Sequence, residues 1–188
     1  MKRLEGRVAT ITGGGSGLGK ATAIRFASEG ALVVIADMDE KSGQAVATEV
    51  NGTFIKCNVA DKASVDNMFA EVFKKFGKID IAFNNAGISP PDDDSILTTE
   101  IEAWDKVQLV NLTSVYLCCK AVLPYMLKAK KGSIINTASF VATLAAATSQ
   151  IAYTASKGGV LAMTRELGVQ FAREGVRVNA LSPGPVNT

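Results

Sequence analysis

The sequence contains no histidine, and this absence excludes more chemistry than any other feature of its composition. Without imidazole there is no Ser-His-Asp or Cys-His nucleophile, no His-ligated zinc and no imidazole pH switch. Cysteine is scarce too: only Cys57, Cys118 and Cys119 occur, with no spacing typical of metal ligands. We therefore expect no metal site, and the odd number of thiols favours a reducing, cytoplasmic location.

Net charge and long hydrophobic runs are also small. The 20 basic and 18 acidic residues leave a net charge of +2, scattered along the chain, which does not predict a nucleic-acid partner. The N-terminus lacks the apolar run of a signal peptide, and the apolar stretches are strand-sized, too short to cross a membrane. With 47% hydrophobic residues, the 188-residue chain is expected to form one domain, 1–188, without a membrane partner.

Short apolar runs alternate with longer segments of helical period, and this alternation predicts the fold. The predicted strands are Val8–Thr12, Ala31–Ala36, Thr53–Cys57, Ile79–Phe83, Ser133–Thr137 and Val176–Leu181. The predicted helices are Lys20–Glu29, Glu40–Val50, Ala63–Phe76, about 100–129 with Pro124 tolerated or kinking, and about 152–173. Continuously apolar strands joined by helices indicate a parallel sheet covered on both faces. The fold class is therefore α/β, a doubly wound parallel sheet of the Rossmann type. Residues 88–99 are predicted to be a loop, with Asp92–Asp94 as a solvated acidic turn.

A glycine-rich turn follows the first predicted strand and opens the first helix. Glycines let the backbone approach a pyrophosphate closely, and the helix N-terminus offers free N–H groups and a positive dipole end to the anion. This context favours a dinucleotide site over a plain flexible connector. Its candidate cofactor-binding residues are Gly13, Gly15, Ser16, Gly17, Leu18 and Gly19.

Asp37 ends the second predicted strand, where an acid can accept both ribose hydroxyls of an adenosine. A carboxylate there repels the 2′-phosphate of NADP, and neither Ser16 nor Leu18 in the turn is basic. Lys41 is the nearest basic candidate, and we interpret it as a solvated helix residue. The sequence therefore predicts NAD, with NADP the less favoured cofactor.

Tyr153 and Lys157 are four residues apart on a predicted helix, so their side chains share one face. A phenol in water gives up its proton only near pH 10, but a nearby ammonium stabilises the phenolate and suits it to acid–base work. Ser139 closes the fifth predicted strand, where its hydroxyl can bond a carbonyl or alcohol oxygen. A bare Tyr-x-x-x-Lys is common by chance, and its combination with the serine and the dinucleotide turn makes it a candidate catalytic site.

Taken together, these motifs resemble the short-chain dehydrogenase/reductase family, in its simple single-domain branch. The matching pieces, in family order, are Thr12-Gly13-x-x-x-Gly17-x-Gly19, Asn84-Asn85-Ala86-Gly87, Asn111, Ser139, Tyr153-x-x-x-Lys157 and Pro183-Gly184. The resemblance implies hydride transfer between a nicotinamide and the carbon of a secondary alcohol or ketone. The cofactor would carry the hydride while the protein supplies position and a proton.

The resemblance also implies a role for each matching residue. Tyr153 would be the general acid/base, Lys157 would bind the nicotinamide ribose, and Ser139 would orient the substrate oxygen. Asn111 would hold a water that relays protons to Lys157. The remaining cofactor-binding residues implied by the family are Asn58, Val59, Asn85, Ala86, Gly87, Tyr153, Lys157, Pro183, Gly184, Val186 and Thr188.

Three departures from the family pattern qualify these expectations. Asn58 stands where an aspartate is usual, which predicts weaker adenine recognition. The spacing from Ser139 to Tyr153 is one residue longer than is common, so the pocket wall is expected to differ, with Phe140, Leu144 and Gln150 as candidate substrate-facing residues. The family's C-terminal substrate lobe and last strand are missing after Thr188, which predicts a truncated or partly ordered form and an open, apolar edge at the sixth strand.

Two other functions stay open. One is reduction of a β-ketoacyl thioester, against which Asp37 argues because biosynthetic reductions usually use NADPH. The other is a non-catalytic dinucleotide-binding scaffold, against which the presence of Ser139, Tyr153 and Lys157 argues. The two long helices carry apolar residues on more than one face, which predicts pairing into a homodimer or homotetramer, although plain core packing explains the same pattern.

Overall fold

The structure, a computed structural model, describes residues 2–186 and contains a six-stranded sheet in which every neighbouring pair is parallel. The strands are β1 (Val8–Thr12), β2 (Leu32–Asp37), β3 (Thr53–Lys56), β4 (Ile81–Asn84), β5 (Gly132–Thr137) and β6 (Val176–Leu181). Their spatial order is β3-β2-β1-β4-β5-β6. The order reverses between β1 and β4, so a crevice opens at the carboxyl ends of these two strands, where such folds bind ligands.

Helices cover both faces of this sheet, as predicted, but the described part of the chain has six α-helices where five were predicted. They are α1 (Gly17–Ser28), α2 (Glu40–Glu49), α3 (Lys62–Phe76), α4 (Ile101–Gln108), α5 (Ser114–Lys128) and α6 (Ile151–Phe171). On one face α1 and α2 pack on a cluster that includes Ile11 and Ile35. On the other face α3, α5 and α6 pack on a larger cluster that includes Phe69 and Ile134. The strands are continuously apolar because both of their faces are buried.

The prediction of one continuous α-helix over about 100–129 is wrong at the centre of that range. A π-helical segment, Leu109–Thr113, separates α4 from α5 and contains Asn111. Pro124 lies inside α5, which continues past it to Lys128, so the proline is tolerated. A π-helical turn holds one residue more than an α-helical turn. The same types of residue occur before, within and after the π segment, so the spacing of apolar residues did not indicate where this additional residue lies.

This helical stretch also corrects the expectation that apolar runs are only strand-sized. Ile101–Lys128 is long and apolar enough to cross a membrane by length and composition, with a mean hydropathy of 1.3 over its most apolar part. Its side chains at Val115, Val122 and Met126 are buried in the core cluster against the sheet. The stretch is therefore a core element of the folded chain.

The acidic turn at Asp92–Asp94 is solvated only in part. Asp92 and Asp94 are exposed, as predicted, but Asp93 is only 5% exposed. Its two carboxylate oxygens accept hydrogen bonds from the backbone N–H groups of Ala152 and Tyr153. The prediction was wrong for Asp93 because its partners lie far along the chain.

The last strand also differs from expectation. β6 lies at the edge of the sheet, paired only with β5 among the described residues. Its exposed positions are Arg177, Asn179 and Leu181, of which only the last is apolar. A charged side chain on an edge strand discourages pairing with another chain, so this edge is less apolar than predicted.

Candidate active site

The glycine turn lies between the end of β1 and the start of α1. Gly13 and Gly17 have φ values of +63° and +51°, in the left-handed region that favours glycine. A Cβ on Gly19 would lie 2.0 Å from the carbonyl oxygen of Gly13, so only glycine fits there. Ser16 occupies the N-cap position of α1 without using its side chain as a cap, within the described part of the chain. The turn is a close-fitting backbone cradle, suited to a pyrophosphate at the helix N-terminus.

Asp37 stands beside this turn at the end of β2. Its Oδ2 accepts a hydrogen bond of 2.9 Å from the Gly15 N–H, and its Oδ1 accepts one of 3.0 Å from the Asp39 N–H. A carboxylate oxygen has more than one acceptor site, so the same group retains capacity for ribose hydroxyls. The backbone bonds hold the acid in a single orientation at the edge of the crevice.

The end of β4 is bonded directly to the end of β1. The N–H groups of Asn85 and Ala86 donate to Thr12 Oγ1 at 3.0 and 3.2 Å. The Asn85 amide also donates to the carbonyl oxygens of Thr12 and Gly13. These bonds cross the point where the strand order reverses, so Asn85 holds the floor of the crevice together. Thr12 belongs to the matched glycine motif, but sequence reasoning gave it no structural role.

A cavity of about 480 Å³ runs from the glycine turn to Tyr153 and Lys157. Twelve of the predicted cofactor residues line it: Gly13, Ser16, Gly17, Leu18, Asp37, Val59, Asn85, Ala86, Gly87, Tyr153, Lys157 and Val186. Sequence reasoning missed seven lining residues, which are Ala36, Met38, Cys57, Ile88, Ser89, Val110 and Thr137. All seven lie one or two positions from a predicted site residue. Six of them stand at or just after the end of a strand, so the strand ends were the signal that could have found them, while Val110 lies in the π segment.

The other predicted cofactor residues lie around this cavity. Gly15 and Gly19 sit behind the turn, where a Cβ would meet Ser42 or the Gly13 carbonyl. Asn58 is exposed, and its Oδ1 accepts a hydrogen bond from the Ala60 N–H. Pro183 and Gly184 line an adjoining cavity of about 280 Å³ together with Ser139 and Tyr153. Thr188 lies outside the described residues.

Tyr153 and Lys157 project from the first turns of α6 toward the end of β5. The Lys157 ammonium lies 5.5 Å from the centroid of the Tyr153 ring and donates a 2.7 Å hydrogen bond to the Thr137 carbonyl. Lys157 is only 3% exposed, and this burial lowers its pKa from 10.5 to about 8. Ser139 is buried at the mouth of the same region and caps the short 3₁₀ turn Phe140–Ala142. The structure therefore brings the predicted serine, tyrosine and lysine to one place.

Asn111 is fully buried in the π segment and is bonded to the loop that follows β4. Its Oδ1 accepts from the Ile88 N–H at 2.7 Å, and its amide donates to the Ile88 carbonyl at 2.8 Å and to Ser156 Oγ at 3.3 Å. A Cβ on Gly87 would lie 3.2 Å from Asn111 Oδ1 and 3.5 Å from Lys157 Nζ, so both atoms flank this glycine. The Asn111 side chain therefore lies near the Lys157 ammonium, although Asn111 is not among the residues that line the cavity.

Comparison with known proteins identifies the family to which this chain belongs. Residues 13–188 match the family model described as enoyl-(acyl carrier protein) reductase. The chain is 43% identical over 185 residues to secoisolariciresinol dehydrogenase of Forsythia intermedia, covering 97% of this chain and 66% of the relative. A crystal structure of a short chain dehydrogenase from Mycobacterium smegmatis superposes with a TM-score of 0.92 at 33% identity, covering 100% of this chain and 80% of that one.

The chain belongs to the short-chain dehydrogenase/reductase family. Its relatives also include 2,5-dichloro-2,5-cyclohexadiene-1,4-diol dehydrogenase of Sphingobium indicum, 40% identical with 99% of this chain and 75% of the relative covered. The 3-oxoacyl-(acyl-carrier-protein) reductase of Thermotoga maritima is 39% identical, covering 99% of this chain and 76% of the relative. The chain thus spans about two thirds to three quarters of the length of these oxidoreductases, and it has the family's Rossmann-like sheet.

Two of the three candidate substrate-facing residues of this short-chain dehydrogenase/reductase reach the side of the crevice where Tyr153 lies. Phe140 and Gln150 line the smaller cavity together with Ser139 and Tyr153. Leu144 lines neither of the two cavities and is exposed. Among residues 2–186, no group of three or more acidic or cysteine side chains is placed to hold a metal ion.

Proposed function

We propose that this short-chain dehydrogenase/reductase uses NAD to interconvert a secondary alcohol and a ketone. The observation that carries the proposal is a single crevice with Asp37 and the glycine turn at one end and Tyr153 with Lys157 at the other. The backbone cradle, the ribose-directed acid and the buried amine fit a nicotinamide dinucleotide. When bound, that cofactor accepts or donates the hydride.

The chain's own residues then supply binding, orientation and a proton. Tyr153 exchanges a proton with the substrate oxygen, and Ser139 holds the same oxygen by a hydrogen bond. The Lys157 ammonium stabilises the phenolate and bonds the nicotinamide ribose. Asn111 lies beside Lys157 and Gly87, a position from which it would hold a relay water. We propose that residues 1–188 act as one dinucleotide-binding domain that contains this set.

The Tyr153→Phe variant tests the proposed acid–base role. It removes only the hydroxyl, so we expect kcat to fall by about 10²- to 10⁴-fold while the affinity for NAD changes little. Steady-state kinetics and fluorescence titration with NADH measure the two quantities. A Tyr125→Phe variant, altered in the core cluster away from the crevice, is the control. Equal turnover by Tyr153→Phe and the wild type would remove Tyr153 from the mechanism.

Cofactor choice is proposed to rest on Asp37. The carboxylate is held against the glycine turn by the Gly15 N–H, where it repels a 2′-phosphate and accepts ribose hydroxyls. We expect kcat/KM to be at least about tenfold higher with NAD than with NADP, and Asp37→Ser to lose most of that preference. The measurement is the kcat/KM ratio for the two cofactors in both proteins. A wild type that prefers NADPH contradicts the assignment.

The substrate is proposed to be a small-molecule alcohol or ketone. The diol dehydrogenase and secoisolariciresinol dehydrogenase relatives support an alcohol, while the 3-oxoacyl reductase relative supports the alternative of a β-ketoacyl thioester. A panel of secondary alcohols with NAD, run beside acetoacetyl thioesters with NADPH, separates the two by rate.

The three cysteines are free and buried, which supports our proposal of a reducing, cytoplasmic location.

A further inference from the structure

Asp93 is a buried carboxylate in the 88–99 loop that the chemistry above does not use. Its Oδ1 accepts a 2.8 Å hydrogen bond from the Ala152 N–H, and its Oδ2 accepts one of 2.7 Å from the Tyr153 N–H. Both bonds are at the short end of the range for hydrogen bonds from N–H to oxygen. One carboxylate therefore holds two consecutive amides, the second of which belongs to the proposed acid–base residue.

The start of α6 depends on this loop for its capping. Gln150 occupies the N-cap position, and its side chain makes no capping bond in the part of the chain that is described. The Ile151 N–H instead donates to the Asp94 carbonyl at 3.1 Å, beside the two bonds to Asp93. The first three amides of α6 thus all donate to the 88–99 loop, although a helix normally finds such acceptors at its own N-cap.

A second support joins the same turn from the other side. Gln108, the last residue of α4, donates from its side-chain amide to the Ala152 carbonyl at 2.9 Å. Both polar groups of the Ala152 backbone are therefore bonded to other elements. The turn that carries Tyr153 is fixed between the loop and α4, and the direction in which the phenol projects follows from that backbone.

From this arrangement we infer that Asp93 is a positioning residue for Tyr153. By fixing the first turn of α6, it holds the phenol at the distance from Ser139 and Lys157 that proton exchange requires. The inference rests on the proposed function. Catalytic geometry is sensitive to such support, because a displacement of about 1 Å can cost about 10²-fold in rate.

The Asp93→Asn variant tests the inference with little change in shape. An asparagine presents one oxygen and one NH₂ group, so one of the two amides loses its acceptor and the turn shifts. We expect kcat to fall by about 10- to 100-fold, with the KM for NAD within about twofold of the wild type. If this variant does not fold, Asp93→Ser, which keeps one short acceptor, replaces it under the same criteria.

Asp61→Asn is the matched control. Asp61 likewise accepts hydrogen bonds from two consecutive helix amides, those of Ala63 and Ser64, but it does so as the N-cap residue of α3 itself, and it is exposed. We expect Asp61→Asn to lower the melting temperature while leaving kcat within about twofold. If Asp93→Asn likewise keeps the wild-type kcat, Asp93 is only a helix cap and the inference is overturned.

A measurement without turnover separates this inference from the proposed function. The chain has three tyrosines, so labelling with ¹³Cζ-tyrosine gives three NMR signals. The signal that is lost in the Tyr153→Phe variant belongs to Tyr153. We expect Asp93→Asn to shift or split the Tyr153 signal, with Tyr116 and Tyr125 unchanged, and Asp61→Asn to leave all three in place. An unchanged Tyr153 signal in Asp93→Asn overturns the inference. A shifted signal in a chain that turns over no alcohol supports the positioning role and counts against the proposed reaction alone.

Discussion

At the scale of single residues, the role proposed for Lys157 conflicts with the stability of the fold. Burial disfavours its ammonium and lowers its pKa to about 8, whereas the unfolded chain retains a value near 10.5. Between these two pH values the unfolded state binds more protons, so the stability of the folded state rises with pH over this window. Below about pH 8 both states are protonated and the cost of burying the charge is fully present.

Replacing Lys157 by methionine should therefore stabilise the chain near neutral pH. The pKa difference corresponds to about 3 kcal/mol, and the lost hydrogen bond to the Thr137 carbonyl offsets about 1–2 kcal/mol of it. We expect the free energy of unfolding to rise by about 1–2 kcal/mol at pH 7, with no gain at pH 10.5 and with loss of activity. Urea unfolding at both pH values measures this. A variant that is less stable than the wild type at pH 7 contradicts it.

At the scale of elements, the π segment links the long helix to the active-site crevice. Asn111 uses its side chain to bond the backbone of Ile88, and it reaches α6 through Ser156. The Ser156 hydroxyl in turn donates to the Tyr153 carbonyl at 2.7 Å. One irregular turn therefore connects the end of β4, the centre of the long helix and the tyrosine, which agrees with the general tendency of π segments to occur at functional sites.

The Asn111→Ala variant should show how much this connection contributes. It leaves the N–H and C=O groups of Ile88 without their partner, which costs about 2–4 kcal/mol in the free energy of unfolding. Leu109→Ala is the control, since Leu109 is in the same segment and its side chain is exposed. Chemical denaturation of both variants measures the difference. Equal losses of stability in the two would mean that the Ile88 bonds contribute little.

At the scale of the whole molecule, self-association remains a prediction. Most apolar residues on the second faces of α5 and α6, such as Leu117 and Leu161, pack against the core cluster, which is the plainer explanation. Val169 on α6 is different, because its side chain is 82% exposed. If two chains pair through α6, a charged side chain introduced at this exposed apolar position would disturb the interface most.

We expect light scattering at several concentrations to show a dimer or tetramer, and Val169→Asp to shift it toward the monomer. A buried unpaired carboxylate is costly, so an interface through α6 would not tolerate it. Leu97→Asp is the control, since Leu97 is 91% exposed and belongs to the 88–99 loop rather than to α5 or α6. A wild-type chain that is monomeric at every concentration removes the predicted assembly.

The sequence alone determined the alternation of strands and helices, the glycine turn with Asp37, and the pairing of Tyr153 with Lys157. These features depend on local spacing, because a helical turn or a strand end places its residues by backbone geometry. Only the tertiary structure decided that Asp93 is buried, that Asn111 forms hydrogen bonds with Ile88, and that Thr12 Oγ1 accepts a hydrogen bond from the Asn85 N–H just after β4. Each of these bonds joins residues far apart along the chain, and a periodic pattern carries no information about which distant backbone group a polar side chain will meet.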